Sequence, residues 1–79
     1  MRIRVKLYAA LRQYQPQLRP GEALALDVPS GTTVAQVSRQ LGIPEDIPLV
    51  AMINSSVRKL DHVLDEEDSL GLFPPVAGG

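Results

Sequence analysis

One stretch of this sequence is written as a sustained helix, and that restricts the fold more than any other feature. Thr33, followed three residues later by Gln36, fits a capping box, in which the two side chains satisfy backbone donors at a helix start. Val34, Val37 and Leu41 then fall on one face at i, i+3 and i+7, and Gly42 suits the left-handed residue that commonly closes a helix. The pattern predicts a helix from about Val34 to Leu41. Its apolar stripe has to cover something else in the chain.

The segments on either side read as strands. Ile3, Val5 and Leu7 alternate with Arg2, Arg4 and Lys6, the period-2 pattern of a strand with one buried and one wet face. Leu24, Leu26 and Val28 alternate in the same way until Pro29-Ser30-Gly31 ends the run, so the first two strands are expected to form a wide hairpin. Between them Ala10 to Gln13 allows a helical turn, while Pro16, Pro20 and Gly21 break anything longer. Beyond the helix, Pro44 and Pro48 bracket a connector. Leu49 to Ile53 is apolar on both strand faces and so is expected to be central or covered. Asn54-Ser55-Ser56 turns the chain, Val57-Arg58-Lys59 suits a short return strand, and Leu60 to Leu64 an irregular crossing with two apolar anchors. Asp65 to Asp68 is expected to be a solvated turn. Ser69 to Phe73 is the last strand, with Leu70 and Leu72 on one face and Gly71 and Phe73 on the other. The predicted fold is α+β, a β-grasp with a mixed sheet of about five strands packed against one main helix. The expected shared core is Ile3, Val5, Leu7, Leu26, Val34, Val37, Leu41, Leu70 and Leu72.

Bulk properties narrow the function. A chain of 79 residues has room for one domain, which buries only about 60% of its unfolded surface, and a deep catalytic cleft would consume much of its core. Eight basic and nine acidic residues give a net charge of −1, so no strong field draws in nucleic acid or an anionic membrane. The absence of cysteine excludes disulfides, thiolate metal sites and a cysteine nucleophile, and fits a cytoplasmic protein. No apolar run has signal-peptide or membrane-span length.

The chemistry is expected at the C-terminus, in Phe73-Pro74-Pro75-Val76-Ala77-Gly78-Gly79. Residues 1–73 read as the domain and 74–79 as a flexible tail, in which the prolines stiffen the exit and Gly78 and Gly79 leave the tip without side chains. Val76 to Gly79 reach roughly 13 to 14 Å when extended, enough to carry the Gly79 carboxylate into a partner's interior. A free carboxylate is a poor electrophile. Carrying a group on it requires activation, for instance as an acyl-adenylate, and the chain has no glycine-rich phosphate loop of its own to bind ATP.

The run FPPVAGG resembles the C-terminal signature of the small, sulfur-carrier subunits of molybdopterin synthase, within the MoaD/ThiS-type ubiquitin-like family. Tyr8-Ala9-Ala10-Leu11-Arg12, Thr33-Val34-Ala35, Ile53-Asn54, Leu60-Asp61-His62 and Glu67-Asp68 are similar to that family at corresponding places, across essentially the whole chain. Ser55-Ser56 and the small Gly71 depart from its usual residues. The resemblance implies a carrier with no catalytic activity of its own and no bound cofactor or metal. Its Gly79 would be adenylated, at the expense of ATP, by a ubiquitin-activating-like adenylyltransferase and then converted to a thiocarboxylate. The tail, Pro74, Pro75, Val76, Ala77, Gly78 and Gly79, would insert into the large synthase subunit in a heterotetramer. There two such tails would supply the dithiolene sulfurs of molybdopterin, made from cyclic pyranopterin monophosphate. Phe73, Val57 and Arg12 are expected on the docking surface.

The remaining features carry less. His62 is the only histidine and reads as a turn or surface residue. The contiguous carboxylates Asp65 to Asp68 lack the spaced ligands of a calcium loop, and the three aromatics, Tyr8, Tyr14 and Phe73, do not form a base-stacking platform. Rival readings are a sulfur carrier for thiazole, cysteine or tRNA thiolation, a ubiquitin-like modifier joined to lysines through Gly79, and a plain interaction domain with an inert tail.

Overall fold

In the computed structural model, which describes residues 1–75, the alternating N-terminal segment is strand β1 (Arg2–Leu7), with Ile3, Val5 and Leu7 buried and Arg2, Arg4 and Lys6 exposed. A 3-10 helix (Ala9–Tyr14) follows, then β2 (Leu24–Asp27), α1 (Val34–Gln40), β3 (Val50–Ile53), β4 (Ser56–Arg58) and β5 (Ser69–Phe73). The five strands form one sheet in the order β2-β1-β5-β3-β4. Only β1 and β5 run parallel; the other neighbours are antiparallel. This is the expected β-grasp.

Register explains where the core lies. Val5, Leu70 and Ile53 stand side by side across β1, β5 and β3, as do Leu7, Leu72 and Ala51. All six are buried and share one apolar cluster with Val34 and Val37 of α1. The helix thus seals one face of the sheet.

The helix start is closed by two devices. Thr33 and Gln36 form both hydrogen bonds of the capping box. The next two amides, Val34 and Ala35, donate to the carbonyls of His62 and Leu60 at 3.1 and 2.8 Å. The orphan donors of the first turn are therefore used up by the chain itself. Leu41 is the C-cap and Gly42 takes φ 86°, as expected of a left-handed closing residue.

Four expectations are corrected. Leu26 is only half-buried, because β2 is an edge strand whose inner face is covered on one side only. The core gains Leu11, Val28, Ile43, Ala51, Ile53 and Leu64, most of them outside any periodic segment. In the 60–64 crossing Leu64 is the one buried anchor, since Leu60 and Val63 are exposed. Asp68 is not solvated: it is buried, accepting from Asn54 Nδ2 at 2.8 Å and from the Asp65 amide at 2.7 Å.

Candidate functional site

The last strand sits in the middle of the sheet. β5 is bonded to β1 on one side and β3 on the other, and Phe73 is its final residue, paired with Val50. Pro74 and Pro75 follow without regular structure. The point from which the tail departs is thus anchored by two neighbours. Val76, Ala77, Gly78 and Gly79, on which the carrier chemistry is expected, lie outside the described residues.

The described residues leave the sheet face opposite α1 uncovered, and β5 runs through its centre. One row across it reads Lys6, Gly71, Met52, Val57, from β1 to β4. Phe73, two residues from Gly71, shares this face, as the strand alternation predicts. An open concavity of about 540 Å³ lies here, lined among others by Arg4, Lys6, Tyr8, Met52, Gly71 and Phe73. Val57 is 66% exposed, an unusual degree for a large apolar side chain. The structure therefore brings Phe73 and Val57 onto one surface. Arg12 is exposed on the 3-10 helix and does not line the concavity.

Phe73 does not stand free on that face. Its ring stacks on Tyr8 with centroids 4.2 Å apart and planes 4° from parallel, and it is half-buried. Tyr8 is held in turn by its amide, which donates to the Leu72 carbonyl at 3.1 Å. Below the pair lies Gly71, where an added Cβ would stand 3.2 Å from Phe73 Cε1 and 3.3 Å from Tyr8 Cε2. The departure at Gly71 thus has a local reason, since the stack occupies the space of a side chain. Tyr8 escaped sequence reasoning because it meets Phe73 across more than sixty residues of chain.

Charge on the open face is graded. Arg2 pairs with Asp27 at 3.1 Å; that hydrogen bond first, and the charge attraction second, hold the Asp27 carboxyl below its ordinary pKa and raise that of Arg2. Arg4 pairs with Glu67 at 3.4 Å. Lys6 makes no ion pair among the described residues. Among the described residues, Lys6 is thus the cation lining the concavity beside Phe73 that has no ion-pair partner.

At the lower end of β5, Asn54 bridges two segments. Its Nδ2 donates to Asp68 and its Oδ1 accepts from the Ser69 amide at 3.0 Å. Asn54 and Ser55 have φ of 49° and 73°, so the β3–β4 turn places two non-glycine residues in the left-handed region. Asn tolerates this better than most residues. Ser55, which lacks that tolerance, carries the strain.

The sequence model of the ThiS family matches residues 5–79. Among solved structures, the chain resembles SAMP1 of Haloferax volcanii, at 22% identity and TM-score 0.72, with both chains wholly covered. It also resembles the HVO 2177 protein of the same organism, at 23% identity and TM-score 0.78, covering all of this chain and 87% of that one. A Pyrococcus furiosus protein assigned as molybdopterin converting factor, subunit 1, is 20% identical with TM-score 0.71, over 95% of this chain and 98% of that one. At these identities the structures establish a shared fold. No curated protein matches, and no helix among the described residues is long and apolar enough to cross a membrane.

Proposed function

The chain belongs to the ThiS family of ubiquitin-like, ThiS/MoaD-type sulfur carriers, and from that premise we propose that it is the carrier subunit of molybdopterin synthase. The observation that carries this reading is a family match that runs through Gly79, joined to a FPPVAGG run that leaves the domain from its central strand.

In the proposed sequence a separate adenylyltransferase joins the Gly79 carboxylate to the AMP moiety of ATP, releasing pyrophosphate. A sulfur nucleophile then displaces AMP and leaves a thiocarboxylate. The tail enters the large subunit, where the thiocarboxylate sulfur bonds to a carbon of the pterin precursor as the C–O bond at that carbon breaks and its oxygen substituent leaves. Hydrolysis of the resulting acyl link returns the free carboxylate, and a second loaded tail supplies the second sulfur. The carrier itself contributes position only. Phe73 and Val57, together on the open face, would lie against the partner, and Arg12, exposed on the 3-10 helix, would add a contact outside the concavity.

The decisive experiment concerns Gly79. Appending one residue moves the reactive carbon by about 3.5 Å, and misplacement near 1 Å can already cost about a hundredfold in rate. Such an extension, or deletion of Gly79, should leave the melting temperature unchanged and abolish thiocarboxylate formation and molybdopterin synthesis in a reconstituted assay. Sulfur transfer by an untrimmed extended variant would refute the reading. Likeness of fold to SAMP1, whose second solved structure bears the name small archaeal modifier protein 1, favours a second reading as a protein modifier. Intact mass of protein from its native cell separates the two: a species heavier by the difference between sulfur and oxygen marks a carrier, lysine conjugates a modifier. Sulfur arriving in thiazole, cysteine or tRNA instead would keep the carrier chemistry and change the pathway.

A further inference from the structure

We infer that Tyr8 is a positioning residue, which together with the bare backbone of Gly71 clamps Phe73 and thereby fixes the direction in which the tail leaves the domain. The inference rests on the carrier reading for its functional readout. Its geometry stands independently.

Phe73 is the residue whose ψ angle aims Pro74, and proline restricts the residue before it to extended conformations. Within that range, what holds Phe73 is its side chain and its strand bonds. The strand bonds belong to β5 and end here. The side chain is gripped on two sides: the Tyr8 ring covers one face at 4.2 Å and nearly parallel, and the Gly71 backbone lies beneath the ring edge. Tyr8 is fixed at its own backbone by the bond to Leu72. The clamp thus runs from β1 through Tyr8 to Phe73, the residue that precedes the two prolines. A Cβ at position 71 would stand 3.2 Å from one ring and 3.3 Å from the other, so both rings would have to give by a few tenths of an ångström to admit it.

Rigid prolines after a fixed residue transmit its orientation outward, because a proline pair is a stiff, extended spacer. A small rotation at Phe73 therefore becomes a larger displacement at the far side of Pro75. The Tyr8 hydroxyl has no hydrogen bond among the described residues, so the ring alone performs the task and phenylalanine should replace it.

The test uses full-length protein with the Gly79 thiocarboxylate already in place, mixed with the large synthase subunit and cyclic pyranopterin monophosphate. Single-turnover sulfur transfer is measured at saturating large subunit, and dissociation constants are measured separately. Tyr8→Ala and Gly71→Ala should each lower the saturated rate by about tenfold to a hundredfold, as expected when the reacting atom is misaimed, and Tyr8→Phe should restore it. The backbone order parameter of the Phe73 amide, measured by NMR on the carrier alone, should fall in Tyr8→Ala and hold in Tyr8→Phe. A loss confined to affinity, with the saturated rate unchanged, would make Tyr8 a docking contact and overturn the inference. If wild-type protein transfers no sulfur, the carrier reading fails instead. The order parameter then decides the clamp alone: an unchanged value in Tyr8→Ala overturns it.

Discussion

Removing the Asn54 side chain tests whether the buried end of the Asp68 network holds the sheet together. Asn54→Ala deletes a donor to a carboxylate and an acceptor for the Ser69 amide, at a residue with φ 49°. A hydrogen bond to a charged group is worth about 1.5 to 3 kcal/mol, and the lower end applies because Asn54 is exposed and water can reach the vacated Asp68 oxygen. The bond to the Ser69 amide, at the surface, adds about 0.5 kcal/mol. Placing alanine in the left-handed region adds about 1 kcal/mol more. Together these give a loss of about 3 kcal/mol, a large part of the 5 to 15 kcal/mol that such a domain commands, and about 12 °C or more in melting temperature. Asn54→Gly loses the same bonds without the left-handed penalty, so it should be less damaging by about 1 kcal/mol. Urea titrations followed by circular dichroism measure both. A loss below about 1 kcal/mol for Asn54→Ala, or a glycine variant no better than the alanine one, would refute the accounting.

Three further outcomes are expected. Leu41→Ala empties a site only 5% exposed and should cost about 2 to 5 kcal/mol in denaturant unfolding, whereas a change near zero would remove it from the core. Ser55→Gly relieves the left-handed strain at φ 73° and should stabilise by about 1 kcal/mol, seen as a raised melting temperature. Because the folded pKa of Asp27 lies below its unfolded value, its pairing with Arg2 stabilises the fold above the unfolded pKa, and that contribution is lost as pH falls through the folded one. Carbon-detected NMR titration should find the Asp27 carboxyl shifting back upward in Arg2→Gln.

Local pattern reached far into this molecule. The box at Thr33 and Gln36, the closing Gly42, and the alternations of β1 and β5 all follow from neighbours within four residues, and the structure holds them as expected. What lay beyond reach depends on partners distant in sequence. Leu64 is buried in a segment with no period, because its amide reaches Thr32 and its side chain the shared core. Asp68 sits in a run of four acids that looks solvated, and the distant turn at Asn54 supplies one of the two donors that make it a buried acceptor, the other being the Asp65 amide. The face of Phe73 was legible by alternation, but its cover was not, since Tyr8 looks from sequence like the start of a loop. The functional reading of the sequence rests chiefly on the tail, whose last four residues lie outside the described ones.

The parallel pairing of β1 with β5 has a mechanical consequence. The chain enters the sheet at Arg2 and leaves it at Phe73, and because the two strands run the same way, these points lie at opposite ends of adjacent strands. Tension applied between the tail and the N-terminus therefore loads the β1–β5 ladder lengthwise, in shear, and its bonds must yield together. The antiparallel β3 on the other flank resists the same slide. A pull applied at Phe73 against a held N-terminus therefore meets a whole ladder of bonds at once rather than one bond at a time.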